Sequence, residues 1–234
     1  MIGRVGFGFH EEVNGPAPAL LQQLQGAAAS AVTDALGRTG VLDPAIKPLA
    51  NGMYLCGPAI TVDLPAGDNL MLYKALQLAS PGDVLVVNAG GHVRNAVWGA
   101  LMTNTARALK LGGLVVDGVV RDGAANRKLG FPIFCRGTVP VSCEKDGPGF
   151  VNGLISCGGV PVRPGDVVVG DDDGVVVLPA EGIGAVIKSL QAQARREEER
   201  MAEIAAGQPL PRWLDRVLRE KGLVTDGAVA RVAE

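Results

Sequence analysis

The sequence predicts an α/β fold, and three observations carry that prediction. Valine-rich runs, VLVV (84–87), GLVVDGVV (113–120) and VVVGDDDGVVVL (167–178), stand between Gly- and Pro-bearing turns, as buried strands do. Segments with apolar residues at helical spacing alternate with several of those runs, the order expected of strand–helix–strand units. The chain holds 33 glycines and only 4% aromatic residues, which fits many tight turns between short strands.

In chain order, Leu20, Leu21, Leu24, Val32 and Leu36 give two short helices within 16–39, broken near Gly26. GPAITVDL (57–64) reads as a strand and GDNLMLYKALQLA (67–79) as a helix, with Asp68 or Asn69 as its cap. SPGDVLVVNAGG (80–91) gives a turn, a buried strand and a glycine-rich loop. A helix within 95–110 puts Val97, Leu101, Thr105 and Ala108 on one face. GGLVVDGVV is the next strand, GAANRKLG a short helix stopped by Gly130, and FPIF a further strand, which makes a right-handed βαβ unit. RPGDVVVGDDDGVVVLP (163–179) reads as a hairpin. Its Pro-Gly-Asp-Val opening echoes that of residue 81 onward, too short a match for a repeat. From Glu181 to Ala205 the chain is helical, with Ile183, Val186, Ile187 and Leu190 packed and RREEER solvated. Residues 1–206 form one domain and 207–234, with Pro209, Pro211 and Trp213, an extension.

The 234 residues are 47% apolar and 20% charged, the composition of a globular protein. A net charge of −2 leaves no electrostatic footprint for nucleic acid or an anionic membrane. No apolar run reaches the length of a membrane span, and MIGRVGFGFHEEV has no signal-peptide core, so a cytoplasmic protein is expected. Cys56, Cys135, Cys143 and Cys157 form no C-x-x-C pair and read as reduced thiols rather than a zinc site.

The chemistry centres on Arg121-Asp122, at the carboxyl end of the 113–120 strand, where open α/β sheets gather ligands. A guanidinium forks onto a carboxylate, and an Asp oxygen suits Mg²⁺ or Mn²⁺. Neighbours on a continuing strand face opposite ways, so both reach one site only if the chain turns, which Gly123 permits. By spacing alone the plainer reading is a helix cap with a surface ion pair.

The ordered set GDVLVVNAGG, WGALMTNTA, GLVVDGVVRDG, LGFPIFCRG and GGVPVRPGDVVVGDDDGVVVLP resembles the class II pyruvate aldolases of the 4-hydroxy-4-methyl-2-oxoglutarate / 4-carboxy-4-hydroxy-2-oxoadipate type. That family shares its fold with the regulator of ribonuclease activity A. The resemblance spans residues 20 to 205 and implies a three-layer β/β/α swivelling fold, assembled as trimers or hexamers with active sites between subunits. It implies that Arg121 binds the pyruvyl part and stabilises its enolate, and that Asp122 holds a divalent cation. The backbone of Gly99, Ala100, Leu101 and Met102 would receive the substrate carboxylate, which suits amides at a helix start. The family often carries an acid 21 residues before the arginine; that position is Ala100 here. A second acid comes from a neighbouring subunit's C-terminal helix, with Glu197 the best match and Glu198 and Glu199 close by.

The implied activity is metal-dependent cleavage of a 4-hydroxy-2-oxo di- or tricarboxylic acid to pyruvate and a second oxo acid, with oxaloacetate decarboxylation through the same enolate. No lysine is placed for a Schiff base by the resemblance. The rival is a ribonuclease-regulator-like binding protein without catalysis, because fold alone does not fix function. Asp171, Asp172 and Asp173 read as turn residues rather than a metal cluster, Trp98 as packing, and His10 and His92 as structural. Asp68 and Asn69 match the family pattern and are candidates to line the pocket.

Overall fold

A computed structural model describes residues 5–223; the end of the expected C-terminal extension, from 224, lies outside them. The elements run β1 (Phe7–Phe9), α1 (Pro18–Leu24), α2 (Ala29–Ala35), β2 (Lys47–Pro48), β3 (Leu55–Asp63), α3 (Leu70–Leu78) and β4 (Val84–His92). There follow α4 (Ala100–Ala108), β5 (Gly113–Val120), α5 (Gly123–Leu129), β6 (Ile133–Cys135), β7 (Gly137–Thr138), β8 (Gly149–Val151), β9 (Ile155–Cys157) and β10 (Val160–Val162). Last come β11 (Val167–Asp171), β12 (Gly174–Leu178), α6 (Ile183–Ala205) and α7 (Leu214–Glu220). Two compact units divide between Leu190 and Gln191, inside α6.

In the first unit β3, β4, β5 and β6 pair in parallel, joined by α3, α4 and α5. On one face Ile60, Val62, Leu85, Val87, Leu114 and Val116 pack with Leu72 of α3 and Met102 and Ala106 of α4. On the other, Ala59, Val84, Val86 and Val115 meet Ile155 of β9, Val162 of β10 and Val168 of β11. β3 serves both layers: Leu55–Pro58 pair antiparallel with β11, while Ala59–Asp63 pair with β4. A third apolar cluster sets Val167, Val169, Val176 and Leu178 of the β11–β12 hairpin against Leu24, Val32, Ile183, Val186 and Ile187. This is the β/β/α arrangement expected. Strands buried on both sides carry no polar alternation, which is why the valine runs marked them so clearly.

The Pro-Gly-Asp echo is a repeated turn. Ser80 N–H donates to Asp83 Oδ2 (2.7 Å) and Arg163 N–H to Asp166 Oδ2 (2.8 Å). Gly82 (φ +91°) and Gly165 (φ +86°) take the left-handed conformation each turn requires. Burial pushes both carboxyls above their ordinary range.

Two expectations need correction. The glycine-rich loop after the 84–87 run is strand: β4 continues to His92 through a register irregularity between Asn88 and His92. The helix expected within 95–110 begins only at Ala100, and Val97 precedes it, buried. Its buried face is Met102, Thr103 and Ala106; Leu101, Thr105 and Ala108 face outward, Leu101 being 83% exposed. An amphipathic reading started one turn early selects the wrong stripe, because a few residues rotate the face by most of a turn. Of the two cap candidates for α3, Asp68 supplies the bond, its Oδ1 accepting from Leu70 N–H (2.8 Å), while Asn69 holds the N-cap position without a capping side-chain bond.

The three consecutive aspartates are turn and cap residues, as expected. Asp171 accepts from Ala29 N–H at the start of α2 and from Asp173 N–H, and Asp172 accepts from Gly52 N–H. In the second unit Glu203 pairs with Arg200 and with Arg212, and Arg200 also donates to the carbonyls of Gln208 and Pro209.

Candidate active site

β5 is buried along its whole length and ends at Val120, which bridges to Trp98. Arg121 N–H donates to Trp98 O (2.8 Å), and there the strand stops. Asp122 itself makes the turn: its φ of +58° and ψ of +39° are left-handed, and α5 starts at the next residue. Gly123, which the sequence marks as permitting the turn, is instead the first residue of α5. Asp is among the few non-glycine residues that adopt this conformation at modest cost.

The turn sends the Arg121 and Asp122 side chains into one cleft. Arg121 Nε lies 3.7 Å from Asp122 Oδ2, and the two side chains are 42% and 43% exposed, open to a ligand. Gly99 forms the wall beside both. A Cβ built on it would stand 2.8 Å from Asp122 Oδ2 and 3.1 Å from Arg121 Nε, so no other residue fits without displacing the pair. Ala100 N–H donates to Asp122 Oδ2 (3.0 Å), which locks that oxygen to the start of α4.

Of the four amides expected to cradle a carboxylate, Ala100's is therefore committed to Asp122. Gly99, Leu101 and Met102 also border the cleft. Position 100 brings only a methyl group to the helix start. Glu197 lies on α6 in the second unit, where it accepts from Gln193 Nε2 (2.9 Å), and is not among the residues lining the cleft.

A buried polar network fixes the charged pair from behind. Trp98 Nε1 donates to Thr103 Oγ1 (2.7 Å), and Thr103 Oγ1 donates to Asn126 Oδ1 (2.7 Å). Asn126 Nδ2 then donates to Arg121 O (2.8 Å) and Asn126 N–H to Asp122 O (2.9 Å). Thr103 and Asn126 are fully buried. Sequence reasoning missed both and took Trp98 as packing alone. Thr and Asn are ordinary residues on short helices, and only the packing of α4 against α5 makes them partners.

A second loop closes the cleft. Asp68 Oδ2 accepts from Asp146 and Gly147 N–H, and Asn69 N–H donates to Glu144 O. These bonds hold the 142–147 segment beside the cleft, which adds Cys143 and Lys145 to its lining, neither anticipated there. Burial pushes the Cys143 thiol up, while the charges of Lys145 and Arg121 pull it down. All four cysteines are free thiols, as expected. His92 pairs with Asn95 Oδ1 (3.0 Å) and His10 tilts against Phe150, and neither is among the residues lining the cleft.

The family model described as RraA-like, Aldolase/RraA, matches residues 29–177. The chain belongs to the RraA-like family. A protein of Halalkalibacterium halodurans, named as a candidate 4-hydroxy-4-methyl-2-oxoglutarate aldolase, is 44% identical over 74% of this chain and 83% of its own length. RraAS2 of Streptomyces coelicolor, described as an unusual member of the RNase ES inhibitor RraA family, superposes with a TM-score of 0.73 at 30% identity, over 80% of this chain and 98% of its own. An uncharacterized protein from Pseudomonas syringae pv. tomato superposes with a TM-score of 0.74 at 27% identity, over 83% and 96% of the two chains. RraA-like membership supports an aldolase or RraA-like function. Among the described residues no helix is long and apolar enough to cross a membrane.

The donor set fits a hard divalent cation better than zinc. Among the described residues no three His, Cys, Asp or Glu side chains converge, whereas Mg²⁺ and Mn²⁺ are commonly held by one carboxylate, with water and substrate oxygens completing the shell. Asp122 is the one carboxylate lining the cleft, and its Oδ1 has no protein donor among the described residues.

Proposed function

We propose that this protein is a divalent-metal-dependent lyase that cleaves a 4-hydroxy-2-oxo di- or tricarboxylic acid to pyruvate and a second oxo acid. The observation that carries this reading is the convergence of Arg121 and Asp122 on one cleft against the bare backbone of Gly99. Mg²⁺ or Mn²⁺ held by Asp122 would supply Lewis-acid polarisation of the 2-oxo group.

The chain's own groups account for the remaining steps. Amides at the start of α4 bind the carboxylate beside the 2-oxo group. A water takes the proton of the 4-hydroxyl. The bond between C3 and C4 breaks, its electron pair passes to C3, and C4 leaves as a carbonyl. The Arg121 guanidinium faces the enolate oxygen and holds its charge in place. Protonation at C3 gives pyruvate. Oxaloacetate losing CO₂ yields the same enolate, so decarboxylation accompanies cleavage. Lys145 is an exposed loop residue rather than the desolvated amine an imine mechanism uses, which favours metal chemistry. A trimer or hexamer in the cytoplasm, with Glu197 of one subunit reaching a neighbour's cleft, completes the proposal.

The test is pyruvate release from 4-hydroxy-4-methyl-2-oxoglutarate with Mg²⁺, followed through a coupled dehydrogenase. Activity should vanish with EDTA and return with added metal, and Asp122→Ala should be inactive. The likeness to RNase inhibitor structures favours a second reading, a binding protein without catalysis. Absence of metal-dependent release from any branched 4-hydroxy-2-oxo acid, and from oxaloacetate, would decide for it.

A further inference from the structure

Lys145 lines the cleft and is exposed at its rim. With Arg121 and Asp122 it completes the charged side chains there, two cations against one carboxylate. Arg121 lies 3.7 Å from Asp122, whereas Lys145 has no carboxylate partner among the described residues. Glu144 and Asp146 flank it in the chain, yet neither lines the cleft. The Cys143 thiol, pushed up chiefly by burial, is drawn down by the charges of both Lys145 and Arg121, which sets the two cations around one space.

The loop that carries this lysine is moored on both sides of it. Ala96 N–H donates to Val141 O (2.8 Å) and Asn95 Nδ2 to Ser142 O (2.8 Å). Glu144 N–H donates to Gly67 O (2.8 Å), and Glu144 O accepts from Asn69 N–H (3.1 Å). Past the lysine, Asp68 Oδ2 accepts from Asp146 N–H (2.6 Å) and Gly147 N–H (3.0 Å), and Asp68 is only 5% exposed. A backbone fixed in this way leaves only the lysine side chain to order when a ligand binds, which lowers the cost of binding.

In the proposed cleavage every other cation is engaged. The divalent cation and the α4 amides take the carboxylate beside the 2-oxo group, and Arg121 takes the enolate oxygen. The second carboxylate of the acid sits on C4, and Lys145 is the remaining cationic side chain of the cleft lining. We propose that Lys145 receives the C4 carboxylate of the substrate and so selects di- and tricarboxylic 4-hydroxy-2-oxo acids over monocarboxylic ones. An ammonium suits that role. It is a compact cation on a flexible stem and pairs with a carboxylate at no one fixed angle, whereas the flat fork of Arg121 serves the reacting oxygen. The pair forms before the C3–C4 bond breaks and persists on the product that carries the carboxylate away, so its effect falls on binding. The inference rests on the lyase reading and deepens it, because it names the residue that reads the far end of the substrate.

Titration tests this without turnover. 2-Oxoglutarate matches the dicarboxylic substrate but lacks the 4-hydroxyl, so it binds without being cleaved; 2-oxopentanoate lacks the second carboxylate as well. Both are titrated calorimetrically into Mg²⁺-loaded wild type, Lys145→Met and Lys145→Arg, with thermal unfolding as a check on folding. Lys145→Met should weaken 2-oxoglutarate binding about 10- to 100-fold, the scale of one charge-assisted hydrogen bond, and 2-oxopentanoate binding by less than about threefold. Lys145→Arg should recover most of the difference. In turnover, the kcat/KM preference for 4-hydroxy-4-methyl-2-oxoglutarate over 4-hydroxy-2-oxopentanoate should shrink by the same factor in Lys145→Met. Equal weakening of both ligands, unchanged 2-oxoglutarate affinity in Lys145→Met, or a wild type indifferent to the second carboxylate overturns the inference alone. A wild type that binds as expected and cleaves neither 4-hydroxy acid overturns the lyase reading and leaves the carboxylate site standing. A wild type that binds neither 2-oxo acid overturns both.

Discussion

Gly99 lies against Asp122 so closely that a methyl group on its Cα would stand 2.8 Å from the Oδ2 atom. It is not a turn glycine, since its φ of −151° is open to any residue; what it supplies is room. Gly99→Ala should therefore leave the fold intact and push the Arg121–Asp122 pair out of register. We expect cleavage to fall about 100-fold, the scale of an ångström misplacement at a reacting centre, with the melting temperature changed by only a few degrees. Unchanged turnover in a folded Gly99→Ala protein would show that the pair's present position is not the working one.

The buried Asn126 amide ties α5 to Arg121 O and to Thr103 on α4. Asn126→Leu removes the acceptor of the buried Thr103 hydroxyl, which keeps only its bond from Trp98, and the donor to the part-buried Arg121 O; a buried group left unpaired costs about 1–3 kcal/mol. The denaturation midpoint should drop accordingly. Where the variant remains folded, Mg²⁺ affinity, read by isothermal titration, should weaken, because the Asp122 turn is no longer anchored. Asn126→Asp, which keeps one acceptor for Thr103, should be the milder of the two.

The thiols should separate by burial. Burial pushes Cys157 up to about 12 and Cys56 up to about 11, and raises Cys135 as well. Thiolate is the reactive form, so a disulfide reagent at pH 8 should modify half-buried Cys143 first and the other three only on unfolding. Since Cys143 borders the cleft, its modification should abolish pyruvate release, and bound pyruvate with Mg²⁺ should slow the labelling. Fast reaction at Cys157 in folded protein would contradict the packing of β9.

Acid stability should depend on Asp43. The Ala45 N–H and then Arg136 hold its carboxyl below the usual carboxylate range. A depressed folded-state pKa contributes stability above the unfolded value, and that contribution disappears as pH falls through the folded value. Asp83 and Asp166 run the other way: their raised values make protonation favour the folded chain as pH falls. Asp43→Asn should therefore flatten the loss of thermal stability on the acid side while lowering stability near neutrality. An identical melting profile for the variant from pH 3 to 7, on the order of the carboxylate range, would rule this out.

The sequence by itself determined the layer plan and the location of the chemistry. Apolar, valine-rich runs such as 114–116 and 167–169 are legible residue by residue, since a strand buried on both faces carries apolar side chains throughout. The Arg121-Asp122 pair stood out because two charges directly follow such a run. The Pro-Gly-Asp turns were equally legible, their bonds spanning only three residues.

Tertiary structure decided the rest. That Asp122 turns left-handed, that Gly99 faces it, and that Thr103 meets Asn126 are facts about elements brought together by the sheet. The buried face of α4 was likewise set by where the helix starts, which the Trp98–Val120 bridge and the Ala100–Asp122 bond fix. The loop carrying Cys143 and Lys145 reaches the cleft only because Asp68, more than seventy residues earlier, receives its amides. Local propensity acts over a few neighbours, whereas a site assembled from four segments depends on contacts that no short window of sequence contains.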